Sequence, residues 1–374
     1  METAKRNAPF WKPCLAIFLL TRLWVFGVTY AVYASGAREL PPESHMWRGA
    51  TGREHFLIEP WRRWDALWFL QVAREGYSYR PDAQSNVTVF PAYPLIMRTV
   101  GALTGSLALA GLIVSNACLL GACLALYSLT AGKAGDEAAR GTLLLLLLFP
   151  SAFLLSGIYS ESLFLFLCVL SLKSGLRGGW MSSGTAGALA STTRLAGIVL
   201  FPALVFERLI RKNLRFAALL RDGAPILIVP LGAAAFFLYL KTLTGSYGAY
   251  FEAQSHWGHR LASPLFSFFY TATSPLNFAT LLDVGTALIF PALGVIAGRR
   301  FGWTLGLYAL AAVFLPMCAS NLTGLPRYVL AAFPAFMAGG WLLRRRALLV
   351  PVLVALAAMQ AYCIHQFVNW RLSF

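Results

Sequence analysis

The feature that most constrains this chain is the alternation of long apolar runs with short clusters of basic residues. Apolar runs lie near residues 13–34, 105–130, 141–157, 161–176, 180–193, 195–210, 223–241, 277–297, 303–319, 328–343 and 347–367. Set against the roughly 20 residues that a helix needs to cross a bilayer, they make about eleven spans. The composition agrees: 58% of the 374 residues are hydrophobic and 12% charged, whereas soluble domains carry about 25% charged residues. The expectation is an all-α polytopic membrane protein, a single membrane domain over residues 1–374. No fixed-period repeat or linker marks a second domain.

A net charge of +16 in a soluble chain would suggest nucleic acid. Here the basic residues sit between apolar runs, the arrangement that orients membrane helices, so membrane lipids are the expected partner and nucleic acid is not. Lys5, Arg6 and Lys12 start the chain on the cytoplasmic side. Lys133 with Arg140, Lys173 with Arg177, the group Arg208, Arg211, Lys212, Arg215 and Arg221, then Arg299 with Arg300, and Arg344 to Arg346 all return there. The outer face then receives a first loop over 35–104 with interfacial helices, a second loop over 242–276, and the turns around Ser160, Arg194 and Pro326. The first run follows its basic residues as a signal peptide would, but it lacks an A-x-A site and is too long, so it reads as an uncleaved span. Cys14, Cys118, Cys123, Cys168, Cys318 and Cys363 lie in or beside apolar runs without a C-x-x-C pair and read as small core residues.

Several runs are too short to cross alone, notably the pairs flanking Tyr159–Glu161 and Arg194. Irregular backbone at membrane depth is tolerated only where protein or water satisfies it, so the turns at Ser160 and Arg194 are expected to face a wet interior. In the first outer loop, WRRWDALWFLQVAREGYSY places Trp61, Trp64, Leu67 and Trp68 at helical spacing beside Arg62, Arg63 and Arg74. This reads as one amphipathic helix along the interface, although an interfacial aromatic belt explains the tryptophans equally well.

Asp65 stands among these tryptophans. Partial burial would raise its proton affinity and Arg62 or Arg63 would lower it, a balance that suits a general base. A helix cap or an ion pair with its arginine neighbours is the competing reading. Arg22 lies mid-span, where an arginine costs about 2.5–3.5 kcal/mol, and is expected to face the interior with an anionic partner. Arg194 and Arg327 lie on the outer side against the positive-inside trend. With Arg22 they are candidates to hold a lipid-linked phosphate through paired guanidinium donors, the alternative being internal ion pairs to Glu161 or Asp65. Glu161, between two short spans, is expected to order Arg194 from the first turn of a helix. His256 and His259 read as solvated loop residues, with no carboxylate or cysteine cluster to complete a metal site. Asn86-Val87-Thr88 and Asn321-Leu322-Thr323 match the glycosylation triplet on the outer side.

Taken in order, Thr21-Arg22-Leu23, WDALWFLQVAREGY, VFPAYPLIMR, FPSAFLLSGIYSESLFLF, STTRLAGIVLFPAL and LPRYVLAAFPAF resemble the PIG-V family of GPI mannosyltransferases, including its shorter prokaryotic members. The resemblance extends from the first span to about residue 340. It implies the GT-C fold, a bundle of membrane helices carrying juxtamembrane helices on its outer face. It also implies a polyprenyl-phosphate sugar donor, typically of mannose. The family's first-loop aspartate maps onto Asp65, the arginines of TRLAG and LPRYV onto Arg194 and Arg327, and the acidic position of YSES onto Glu161.

The expected reaction is an inverting displacement at the extracytoplasmic face, moving a hexose to a glycan, glycolipid or protein acceptor. Asp65 is the expected base and Arg22, Arg194 and Arg327 the phosphate contacts. Trp64, Trp68, Tyr77 and Tyr93 form the expected walls, with Tyr328 in support. No cofactor is implied, consistent with the lack of a Walker loop or Rossmann fingerprint. Chain length and the lack of a retention signal at Arg371-Leu372-Ser373-Phe374 point to a bacterial or archaeal plasma membrane. The competing function is a lipid-linked sugar transporter or flippase, in which matching broken helices in both halves would be expected.

Overall fold

A computed structural model describes residues 11–37, 54–211 and 223–371. The orienting roles assigned to Lys5, Arg6, Lys212, Arg215 and Arg221 lie outside these residues. Among the described residues the regular structure is helical. Five helical segments are long and apolar enough to cross a membrane: Trp11–Ala34, Leu107–Ala134, Ala224–Thr244, Phe278–Phe301 and Arg346–Val368. In chain order the helices are α1 (Trp11–Ala34), α2 (Asp65–Glu75), α3 (Ala92–Thr104), α4 (Leu107–Ala134), α5 (Asp136–Leu147) and α6 (Glu161–Gly175). They continue with α7 (Trp180–Thr193), α8 (Leu200–Arg211), α9 (Val229–Thr244), α10 (Ala249–Ser255), α11 (Pro264–Ala272) and α12 (Phe278–Phe301). The last four are α13 (Trp303–Phe314), α14 (Leu325–Tyr328), α15 (Phe333–Leu342) and α16 (Arg346–Val368).

Local chemistry sets the ends of the long helices. Ser106 caps α4 by accepting the Leu109 amide, and Asn277 caps α12 by accepting that of Thr280, each satisfying an otherwise orphaned donor. Gly302, at φ +111°, makes the sharp turn from α12 into α13, a conformation that a Cβ would disfavour.

The run over 141–157 is not one helix. α5 stops at Leu147, and after an irregular link a 3-10 turn covers Ala152–Ser156. Pro150 lacks the N–H that would continue the ladder. The freed carbonyls are met by side chains of α4 and α16. Gln360 donates to Leu147 and Phe149 at 3.1 and 2.8 Å, Asn116 to Ser156 at 3.1 Å, and Ser115 to Tyr159 at 3.1 Å. Irregular backbone at this depth is therefore satisfied chiefly by protein.

α6 sits in the middle of the bundle, packed against α4, α7 and α8 and buried on nearly every face. Helices come closest where glycine permits it. A Cβ at Gly340 of α15 would lie 2.5 Å from the Thr142 amide of α5, and one at Gly306 of α13 would lie 2.5 Å from the Gly298 Cα of α12. Small residues at such crossings replace the hydrophobic drive that lipid removes.

The segment between α1 and α3 departs from the amphipathic helix expected there. Trp61 belongs to a separate 3-10 turn, Glu59–Trp61, and is fully buried. α2 begins only at Asp65, because Trp64 takes a φ of +55°. Arg62 and Arg63 are buried rather than aimed at headgroups, and both pair with Glu59, at 2.9 and 3.7 Å. A periodicity spanning the Trp64 turn could not register this break in the backbone.

Candidate functional site: a carboxylate–arginine chain in one cavity

The two turns flanking α6 and α7 meet the LPRY turn at one end of the bundle. Ser160 precedes α6, so Glu161 occupies its first turn, where the helix dipole favours a carboxylate. Arg194 leaves α7 in extended conformation before a 3-10 turn over Leu195–Val199. Gly197 makes that bend possible, since a Cβ there would lie 2.4 Å from the Ser191 amide. The turn carrying Arg327 starts at Gly324, φ +80°. It is held by Ser151, which donates to the Pro326 carbonyl at 2.7 Å, and Asp283 of α12 stands near the Gly324 and Leu325 amides at its start.

The four charged groups form a chain. Arg327 Nη1 donates to Asp65 Oδ2 at 2.5 Å, while its Nε donates to Glu161 Oε1. The same Glu161 oxygen accepts from Arg194 Nη1 at 2.6 Å, and Ser160 takes a second, longer bond from that nitrogen. Arg327 also lies over the Tyr159 ring at 4.9 Å and Arg194 over Tyr328 at 5.3 Å. The Arg327 and Glu161 side chains are each 5% exposed, against 16% for Arg194 and 35% for Asp65. Asp65 is thus the accessible end of a buried network, and the ordering role expected of Glu161 extends to two arginines.

All four line one cavity of about 640 Å³, together with Ser160, Trp64, Trp68 and Tyr328. Its size suits a small-molecule ligand. Several buried polar atoms of its lining have no hydrogen-bond partner among the described residues: Glu161 Oε2, Trp68 Nε1, Trp257 Nε1 and His259 Nδ1. Buried polar atoms are normally paired, so four in the residues around one cavity leave hydrogen-bonding capacity unused beside it. Tyr250, from α10, adds a phenol that burial pushes up to about 12 and keeps protonated.

Behind Asp65 the backbone is strained. Trp64 at φ +55° and Trp370 at φ +58° are the positive-φ non-glycine residues among those described. Their rings meet at 5.4 Å, and Trp64 Nε1 donates to the Phe367 carbonyl at 3.3 Å. Such strain persists only where surrounding contacts enforce it, commonly beside functional groups. Here the end of α16 enforces it.

Three expected site residues lie elsewhere. Arg22 is buried, but Nη1 donates to Ser156 at 2.5 Å and no anion pairs with it among the described residues. It braces the broken segment after α5 and does not reach the cavity. Tyr93 is fully buried, bonded to the Gly111 carbonyl and Ser115 inside the α3–α4 contact. Tyr77 donates to the Val89 carbonyl at 2.8 Å and packs on Phe236 and Tyr239. Asp65 pairs with Arg327, not with Arg62 or Arg63. Asn86 of the first glycosylation triplet is buried, accepting from the Ser78 amide and donating to the Gly76 carbonyl.

Two residues gain importance. His259 is not a solvated loop residue but lines the cavity. Burial lowers its pKa, and the Asp65 charge works the other way. Asp283, an acidic residue in an apolar run, carried a signal in the cost of placing it there.

The family model Mannosyltransferase (PIG-V) matches residues 51–238, half of the chain and the part that contains Asp65, Glu161 and Arg194. The chain belongs to the PIG-V mannosyltransferase family. GPI alpha-1,6-mannosyltransferase 2 of Rattus norvegicus is 33% identical over 150 residues, 37% of this chain and 29% of the rat protein. The match to the same enzyme of Mus musculus has the same extent. This PIG-V chain therefore matches under a third of the length of its curated relatives. ArnT from Cupriavidus metallidurans is similar over 96% of this chain and 76% of its own. The TM-score is 0.55 at 16% identity for its apo state and 0.53 at 15% identity for its complex with undecaprenyl phosphate. The PIG-V chain thus has the GT-C fold of membrane glycosyltransferases.

Proposed function

We propose that the chain transfers a mannosyl residue from a polyprenyl-phosphate donor to a hydroxyl acceptor by a single inverting displacement. The observation that carries this reading is the convergence of Asp65, Arg327, Glu161 and Arg194 on one cavity with orphaned polar atoms around it. A sugar's hydroxyls suit the polar groups that line this cavity, Asp65 and Arg194 among them. ArnT, of the same fold, binds undecaprenyl phosphate, which supports a lipid phosphate here.

Asp65 is the most exposed member of the chain and takes the proton of the attacking hydroxyl. Arg327, tied to two carboxylates, orients Asp65. Arg194 engages the network through Nη1 alone among the described residues, so Nε and Nη2 are left to stabilise the departing phosphate. The reacting end faces away from the cytoplasm, because the basic clusters gather at the other end. The setting is a bacterial or archaeal plasma membrane, and the acceptor a glycan, glycolipid or protein.

Asp65→Asn keeps the shape and removes the base. Incubated with radiolabelled polyprenyl-phosphate mannose and membrane acceptor extract, it should lose about 10²- to 10⁴-fold in transfer while keeping its helical content. Wild-type transfer by the variant would end this assignment. Label that crosses a vesicle membrane without reaching a new acceptor would favour the transporter.

A further inference from the structure

At the opposite end of α6 and α13 lies a second cavity, of about 450 Å³, whose lining is basic. It is formed where helices end. Lys133 comes from the last turn of α4, Lys173 from that of α6 and Arg211 from that of α8, with Arg177 just beyond α6 and Thr304 in the first turn of α13. Cations at helix C-termini are ordinary. The charge balance of this cavity is not.

Glu207 is its one acidic lining residue among those described, and both of its oxygens are engaged. Oε1 accepts from Arg211 Nε at 2.5 Å and Oε2 from Thr304 Oγ1 at 2.6 Å. Among the described residues Lys133 finds only the neutral Phe301 carbonyl, at 3.0 Å, and Lys173 only the Ser128 hydroxyl. Arg177 is exposed and makes no ion pair among the described residues. Lys133, from the end of α4, and Lys173 and Arg177, from the end of α6, thus converge on one concave space whose described carboxylate, Glu207, is already paired with Arg211. Ile210 and Trp303, both about half exposed, stand at its rim, giving apolar surface beside the charge.

We propose that this cavity binds the phosphate headgroup of an anionic phospholipid, its acyl chains lying against Ile210 and Trp303. Its position at the ends of the membrane-spanning helices α4 and α12 puts it at headgroup depth, and basic pockets between membrane helices take such headgroups. The site is separate from the carboxylate–arginine cavity and does not depend on transfer activity.

The test uses the full chain in neutral detergent, titrated with phosphatidylglycerol, phosphatidylcholine or inorganic phosphate, with bound species counted by native mass spectrometry. Phosphatidylglycerol should bind at least tenfold more tightly than phosphatidylcholine. Lys133→Gln with Lys173→Gln should remove that preference, whereas Arg344→Gln with Arg345→Gln, at the same end but outside the cavity, should keep it. Arg177→Gln, at an exposed side chain, should weaken it severalfold and guards against a misfolded double variant. Equal binding of the two lipids, or equal loss in the Arg344 and Arg345 variant, would overturn the site. Saturation by inorganic phosphate without lipid preference would overturn its assignment to a headgroup.

Discussion

Glu161 is the residue on which the network turns, because one of its oxygens holds two guanidinium groups in a nearly dry setting. Breaking a buried pair by neutralising one member costs about 3–5 kcal/mol, since a charge is left uncompensated. Glu161→Gln should therefore lower the thermal unfolding temperature and reduce transfer together, which activity and melting curves on one sample would report. His259 carries a pH signature. Burial holds its folded pKa below the ordinary value near 6.5, so an unfolded chain takes up the proton first as pH falls. The stability it contributes is present above about pH 6.5 and is lost as pH drops towards the folded pKa. Wild-type melting temperature should fall between pH 7 and 5 by more than that of His259→Gln, and parallel curves would contradict this.

Among the elements, short broken helices carry the site, and their ends are set by contacts distant in sequence. Asp283 of α12 is buried beside the start of the turn that bears Arg327, near the Gly324 and Leu325 amides. Asp283→Ala should leave the bundle folded yet reduce transfer at least tenfold, with an altered pH–rate profile, because the Arg327–Asp65 pair loses its register. A purely structural role would lower stability and leave that profile unchanged. The α5–α15 crossing depends on bare backbone: a side chain at Gly340 meets the Thr142 amide and the Ala138 carbonyl at 2.5 and 2.6 Å. Gly340→Val should therefore destabilise by about 1–3 kcal/mol or more, read as a drop in melting temperature, whereas Gly27→Val, with open space around it, should not.

For the whole molecule, the two ends of the bundle have opposite chemistry. One gathers the carboxylate–arginine chain, the other the lysines and arginines of the second cavity. If the first end is extracytoplasmic, Cys318, which lines its cavity, should react with a membrane-impermeant maleimide in intact cells, while Arg177→Cys should react only after permeabilisation. The reverse pattern would invert the topology.

The number and places of the apolar runs, the basic clusters between them and the choice of Asp65, Glu161, Arg194 and Arg327, which the fold brings together, were all legible in the sequence. Hydropathy and the cost of a charge in lipid act locally, residue by residue. The tertiary structure alone decided the partners: that Arg327 bridges Asp65 and Glu161, that Arg22 braces a broken helix, that Tyr77 and Tyr93 serve the core, and that His259 turns inward. Trp64, with its positive φ, shows the reason. A backbone turn enforced by α16, some 300 residues away, leaves no trace in local periodicity, and no one-dimensional pattern records which buried charge meets which.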